Sequence, residues 1–304
     1  MPRIVSLLPS ATEIICALGL EPALVGRSHE CDYPPGVRRL PVCTEPKIAV
    51  GGTTHSIHAG ISDIVRHDIS VYRVHSDLLR ELKPTHIVTQ VQCEVCAVSL
   101  RDVEAALAGW EVAPRIVPLN PESLDDVFGD IRRTACALDC DDEGQALVAS
   151  IRTRMEGIAA TARMQPKPRV AAIEWIDPLM AAGNWMPTLI DLAGGIPVLG
   201  EAGKHSAWID WDDLIASDPD VIIVMPCGFH IADSERDWDL LASHPAWKTL
   251  RAVRDGRVFI VDGNQFFNRP GPRLADSVEI LAEILHPTRF HFGHQNVGWK
   301  RCDA

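Results

Sequence analysis

Short apolar runs alternate with helical periodicity twice along this chain, and a helical stretch separates the two series. In the first series Arg3-Ile4-Val5-Ser6-Leu7-Leu8 reads as a strand ended by Pro9. Ser10-Ala11-Thr12-Glu13 has the form of a capping box opening a helix that runs through Ile14, Ile15 and Leu18 to Gly19. Ala23–Ser28 is a second strand, Ile61, Ile64, Val65 and Ile69 mark a helix, and Asp77–Leu82 another. Thr85–Gln90 is a buried-type strand, Val98–Trp110 a helix and Arg115–Pro118 a strand. Leu124, Val127, Ile131, Ala135 and Leu138 then recur at helical spacing, and a second helical pattern over Gln145–Arg163 ends at Pro166 and Pro168. The second series holds strands at Val170–Glu174, Val221–Met225 and Arg257–Asp262, a helix at Thr188–Leu192, and a last helix with Leu274, Val278, Leu281 and Leu285 on one face. Such alternation predicts an α/β protein of two Rossmann-like lobes joined by a long helical linker. The expected boundaries are 1–120 for the first lobe, 121–165 for the linker, 166–287 for the second lobe and 288–304 for a tail.

The length of 304 residues agrees with two lobes, each large enough to bury a core. With 41 acids against 29 bases the net charge is −12, which speaks against a nucleic-acid partner, since phosphate contacts supply most of that affinity. Nine cysteines, an odd number in a chain this large, read as reduced thiols rather than a disulfide framework. The apolar run Ile4–Leu8 is stopped by Pro9 and Glu13, too early for a secretory leader, and no apolar stretch is long enough to span a membrane. The expectation from these features is a cytoplasmic protein.

Ligands of open α/β sheets bind beyond the carboxyl ends of strands. Here those ends lead into Pro9-Ser10, His29-Glu30-Cys31, Gln90 to Cys96, Glu174-Trp175, Pro226-Cys227-Gly228 and Gly263-Asn264-Gln265. Cys93 and Cys96 form one C-x-x-C, a spacing that suits a shared metal or a disulfide. A zinc or iron site would need Cys31, Cys227 or His29 to complete it; four separate structural cysteines is the plainer reading. His55 and His58, like His291 and His294, read as solvated loop histidines. Trp175, Trp185, Trp208 and Trp211 fit a core, or a surface on which a flat macrocycle stacks. No G-x-S-x-G, P-loop, H-E-x-x-H or G-x-G-x-x-G after a strand is present, so the expectation is a protein that is not an enzyme. A thiol-dependent enzyme using Cys93 or Cys227 is the third alternative.

The segments Arg3-Ile4-Val5-Ser6-Leu7-Leu8-Pro9-Ser10-Ala11-Thr12-Glu13, Asp32-Tyr33-Pro34-Pro35, Leu82-Lys83-Pro84-Thr85-His86-Ile87-Val88, Asp218-Pro219-Asp220-Val221-Ile222-Ile223-Val224 and Arg269-Pro270-Gly271-Pro272-Arg273-Leu274 resemble the helical-backbone (class III) substrate-binding proteins of ABC importers. These include cobalamin-, iron-siderophore- and haem-binding members. The resemblance covers residues 3 to 287 and implies two α/β lobes joined by a long helix, with a cobalamin or related corrinoid held in the cleft between them. Carried over by position, the cobalamin site falls on Pro9, Ser10, Ala11, Glu30, Gln90, Met180, Trp208, Gln265 and Arg269, with Glu30, Gln90 and Met180 standing where the family has aromatics. The carboxylates that dock such a protein onto an ABC permease fall on Asp77 and Asp212. The segments around Cys93, Trp175, Trp185 and Cys227 look like a cytoplasmic-type branch of the family. Together these features give the expectation of a non-catalytic corrinoid-binding protein in which Trp175, Trp185 and Trp208 pack on the macrocycle and Gln265 and Arg269 bond its amide edge. A zinc or iron protein using Cys31, Cys93, Cys96, Cys227 and His29 is the alternative.

Overall fold

The computed structural model describes residues 1–47, 52–66, 71–91 and 98–302. The chain divides into two compact units. The first holds Met1–Gly51, Ala59–Pro121 and Asp125–Ala149; the second holds Gly52–His58, Glu122–Leu124 and Ser150–Ala304.

The first unit begins with β1 (Ile4–Ser6), α1 (Pro9–Ala17), β2 (Leu24–Arg27) and β3 (Thr44–Pro46). The helix α2 (Thr54–Arg66), β4 (Tyr72–Val74), α3 (Ser76–Leu82) and β5 (His86–Gln90) follow. After them come α4 (Leu100–Ala106), β6 (Arg115–Leu119), α5 (Leu124–Ala137) and α6 (Asp141–Ala162), whose residues from Ser150 onward belong to the second unit. Its main sheet is parallel, in the order β2-β1-β5-β6. β1 is completely buried, Ser6 included, as a central parallel strand covered on both faces must be. Helix α1 opens differently from the expected capping box: Pro9 occupies the first helical position and Leu8, whose side chain makes no cap bond, precedes it. Proline's fixed φ suits that first position, so the start shifts ahead of Ser10.

The second unit contains β7 (Arg169–Trp175), β8 (Met180–Ala181), α7 (Met186–Leu192), β9 (Ile196–Pro197) and β10 (Ala207–Trp208). It continues through α8 (Trp211–Ser217), β11 (Val221–Val224), α9 (Ile231–Arg236), α10 (Trp238–Ala242) and α11 (Arg251–Arg254). It ends with β12 (Val258–Val261), α12 (Leu274–Leu285) and β13 (Trp299–Arg301). The sheet order is β10-β8-β7-β11-β12-β13, with β7, β11 and β12 parallel and β9 paired to β7. Residues 288–304, expected as a tail, instead bring an edge strand into this sheet, antiparallel to β12 with Val261 opposite Trp299. The segment lacks apolar alternation because one strand residue, Trp299, supplies its buried side chain while the neighbouring Lys300 and Arg301 are exposed.

Two glycines of α6 give opposite expectations for one substitution. A Cβ on Gly144 would lie 2.4 Å from the Ala135 Cβ of α5, whereas a Cβ on Gly157 meets nothing within 4 Å. Gly157→Ala is expected to stabilise by about 0.5–1 kcal/mol through the backbone entropy of the unfolded chain. Gly144→Ala is expected to destabilise by about 1–3 kcal/mol, because the two helices must separate. Urea melts of the two variants check the sign of each.

Candidate functional site

In each unit the chain leaves a central strand toward one side of the sheet and returns on the other. That reversal makes a crevice at the carboxyl ends of β1 and β5 in the first unit and of β7 and β11 in the second.

In the first unit, Pro9 and Glu30 are half-buried at the ends of β1 and β2, and Gln90, the last residue of β5, is buried. Ser10 and Ala11 are buried within the first turn of α1. Cys31 is fully buried, its sulfur 3.0 Å from the Thr12 hydroxyl. His29 is more informative. Its Nδ1 lies 2.8 Å from the Thr44 hydroxyl oxygen, which also accepts from the His29 N–H, while the Thr44 proton is directed to Ser28 Oγ at 3.2 Å. Burial and, after it, the Arg27 charge hold this imidazole below the ordinary histidine pKa.

In the second unit, pairing register assembles a strip that the sequence does not show. Met180 on β8 stands opposite Trp175 of β7 on one side and Trp208 of β10 on the other. Two indoles thus flank one thioether across three adjacent strands, the arrangement in which side chains of paired residues meet. Trp208 is 56% exposed, while Trp175 and Met180 are half-buried. The Trp175 ring packs edge-on against Phe229 at 5.7 Å, and the His58 ring approaches Trp208 edge-on at 5.2 Å. His55, from the same segment, bonds Asp177 at 2.9 Å. Both histidines lie at the start of α2, in the stretch Gly52–His58 that belongs to the second unit, rather than in a loop, and the His55 side chain is exposed. Trp185 departs from the expected stacking role: it is buried, and its indole N–H donates to the Phe267 carbonyl at 2.9 Å.

Beside the strip, the turn after β12 is organised by Asp262, which is 3% exposed. Its carboxylate accepts from the Gln265 backbone N–H at 2.7 Å and from the Gln265 side-chain amide at 2.9 Å, and lies 2.8 Å from His230 Nδ1. Asn264 Nδ2 lies 3.0 Å from His230 Nε2, and Asn264 Oδ1 accepts from the Arg269 guanidinium at 3.1 Å. Gln265 and Arg269 are therefore members of one hydrogen-bonded turn. The sequence does not single out Asp262 or His230; the available signal is an Asp-Gly-Asn turn directly after a buried strand. At the end of β7, Glu174 accepts from the Ser206 hydroxyl at 2.7 Å, and its carbonyl accepts from the Cys227 N–H at 3.2 Å.

Only Cys31, Cys227 and His29 of the expected metal set fall within the described residues. Among the described residues no group of three or more His, Cys, Asp or Glu side chains could hold a metal ion. Cys93 and Cys96 lie outside the described residues, Cys31 is sealed in the first unit's core, and Cys227 belongs to the second unit. Asp77 and Asp212 are exposed acids in the first turns of α3 and α8.

Comparison with known proteins bears on this geometry. The profile described as "Periplasmic binding protein" matches residues 4–264. An uncharacterized ABC transporter substrate-binding lipoprotein, YvrC of Bacillus subtilis, is 24% identical over 297 residues, covering 95% of this chain and 81% of the relative. A vitamin B12-binding protein of Vibrio cholerae is 23% identical over 295 residues, covering 93% of this chain and 88% of the relative. Among solved structures, a periplasmic heme binding protein from Pseudomonas aeruginosa matches with a TM-score of 0.70 at 20% identity, over 95% of this chain and 94% of its own. The expected cytoplasmic location is overturned by these relatives, which are periplasmic binding proteins or substrate-binding lipoproteins and act outside the cytoplasm. The thiol count misled because an odd number of cysteines reports a reducing compartment only when pairing would otherwise be expected. With its two α/β units and a profile match over most of its length, the chain belongs to the periplasmic binding protein family, as a non-catalytic substrate-binding protein of the ABC-transporter type.

Proposed function

We propose that the chain captures a corrinoid, cobalamin in the first instance, with the Trp175–Met180–Trp208 strip as the surface that meets the flat face of the ring. The observation that carries this reading is the strand register that sets Met180 between two indoles. Such a strip is broad, apolar and polarisable, and a planar macrocycle would cover it with favourable dispersion and little loss of side-chain freedom. The periphery of a corrin carries neutral amides. The turn beside the strip offers matching amide donors and acceptors in Gln265 and Asn264, with Glu174 and Arg269 as charged partners. The first unit offers Pro9, Glu30 and Gln90 at its own strand ends. Permease contact through the exposed Asp77 and Asp212 belongs to the same reading. Relatives named for vitamin B12 and for heme both match this chain, and the side-chain amides of Gln265 and Asn264 in the turn are what favours the corrinoid.

The experiment is an absorbance and calorimetric titration of the purified chain with cyanocobalamin and, in parallel, with haemin. A saturable, stoichiometric signal with cyanocobalamin is expected. Trp208→Ala is expected to weaken it about tenfold, or about 1.4 kcal/mol, for the loss of one stacking surface. Tight binding of haemin alone would reassign the ligand, and no signal with either would end the proposal.

A further inference from the structure

The turn that carries Asp262, Asn264, Gln265 and Arg269 is held from behind by the segment that leads into β13. The Asp262 N–H donates to the Gly298 carbonyl at 2.9 Å, immediately beside the Val261–Trp299 pair. A Cβ on Gly298 would sit 2.6 Å from Ile280 Cδ1 and 3.4 Å from Phe266 Cε2, so the segment lies close against both α12 and the turn. The His294 ring packs edge-on against Phe266 at 6.2 Å, and the Phe266 carbonyl accepts from Ser277 at 2.7 Å.

One side chain of α12 holds this segment. Glu283 is 5% exposed, and its carboxylate accepts from three donors of the segment: the Gly293 N–H at 2.6 Å, the His294 N–H at 3.2 Å and the Trp299 indole N–H at 2.8 Å. Glu279, one turn earlier, bonds His294 Nε2 at 2.9 Å and Arg154 of α6 at 2.7 Å. Burial opposes the Glu279 charge, but Arg154 and His294 outweigh it and hold its pKa below the usual range. A carboxylate with three aligned donors is a strong, directional anchor, and all three donors belong to the segment that bonds the ligand turn.

We propose that Glu283 is a positioning residue for ligand capture: through residues 293–299 it fixes the Asp262–Arg269 turn from outside the binding surface. Removing the anchor lets Gly298 move and releases the Asp262 N–H. Gln265 and Arg269, which bond Asp262 and Asn264 of that turn, then lose these fixed directions. The claim about the turn is independent of the ligand; the consequence for affinity rests on the corrinoid reading.

Amide hydrogen exchange followed by mass spectrometry on the full chain tests it, with Glu283→Ala, the milder Glu283→Gln and Trp299→Phe, which removes one donor and keeps the ring. Exchange in peptides covering residues 262–269 is expected to rise at least tenfold in Glu283→Ala and about threefold in Trp299→Phe, while β7 and β11 keep wild-type rates. Cyanocobalamin affinity is expected to fall about tenfold in Glu283→Gln, chiefly through faster dissociation, at a temperature where the variant is fully folded. Unchanged exchange in the turn overturns the proposal. Faster exchange throughout the second unit also overturns it, because Glu283 would then be only a stabiliser of the fold. Selective loosening of the turn in a chain whose wild type binds neither cyanocobalamin nor haemin supports the positioning claim and rejects the ligand reading alone.

Discussion

Between pH 4 and pH 7 the Asp130→Asn variant is expected to gain about 2.5 kcal/mol of stability relative to the wild-type chain. Asp130 lies on α5 with its carboxylate 2% exposed, and burial pushes its pKa up to about 6 against the opposing pull of Arg133 and of the Asn120 N–H, which donates to it at 3.1 Å. A carboxyl whose folded pKa lies above its unfolded value binds its proton more tightly in the folded state. Its contribution is therefore fully present below the unfolded value of 3.8 and is lost as pH rises through about 6. A shift of about two units at roughly 1.4 kcal/mol each sets the size of the swing. Asparagine keeps an acceptor for the Asn120 N–H and never ionises, so it reports what the neutral acid would contribute at every pH. His29 and His86 of the same unit shift in the other direction, both lowered first by burial, and favour folding as pH rises above the ordinary histidine value. They are common to both proteins and cancel in the difference. Urea melts of wild type and variant at the two pH values supply it; a gap that does not move with pH would show that Asp130 ionises as freely as an exposed aspartate.

Asp130 illustrates which parts of this molecule are legible in the sequence. The helix that carries it is visible in Leu124, Val127, Ile131 and Ala135, because a face that must bury repeats with the period of the helix whatever lies opposite. Nothing marks Asp130 as different from the acids around it, since its burial depends on Asn120 arriving from the end of β6. The same holds on α12. Leu274, Val278, Leu281 and Leu285 predict one buried face and say nothing of Asp276, Glu279 and Glu283. The helix is instead buried along almost its whole length, and those acids hold Arg154, His294 and Trp299. Acids on a helix speak of solvent only until a segment with matching donors covers them, and 290–302 has no apolar pattern to announce that it does. The Trp175–Met180–Trp208 strip is hidden for another reason. β8 and β10 are two residues long, too short for period-two alternation, and only their register places Met180 between Trp175 and Trp208. The parallel strands, by contrast, are visible because β11 and β12 are apolar at every position.

Gly263→Ala is expected to weaken ligand capture about a hundredfold, or about 2.7 kcal/mol, and to lower stability by about 2–3 kcal/mol. The residue opens the turn after β12, and a Cβ there would lie 2.3 Å from the Pro226 carbonyl oxygen and 2.9 Å from that of Met225. Both obstacles are backbone, so no rotamer change relieves them. The Met225 carbonyl cannot yield cheaply either: its residue donates to the Ile173 carbonyl at 2.8 Å, and the carbonyl itself accepts from the Asn268 side chain at 3.1 Å. The turn must therefore lift from the end of β11. Lifting moves Asp262, Asn264, Gln265 and Arg269 together, since one hydrogen-bonded chain runs through them to His230. Affinity then falls further than stability alone requires, because directional amide contacts are lost once their donors and acceptors point elsewhere. Gly228→Ala separates the two effects. That glycine follows the same strand at φ +78°, with nothing within 4 Å of the added carbon, so it brings backbone strain of about 1–2 kcal/mol without an obstacle behind the turn. Cyanocobalamin titrations of both variants, far below their melting temperatures, should find capture largely retained in Gly228→Ala and nearly lost in Gly263→Ala. Equal affinities would mean that the turn after β12 does not touch the ligand.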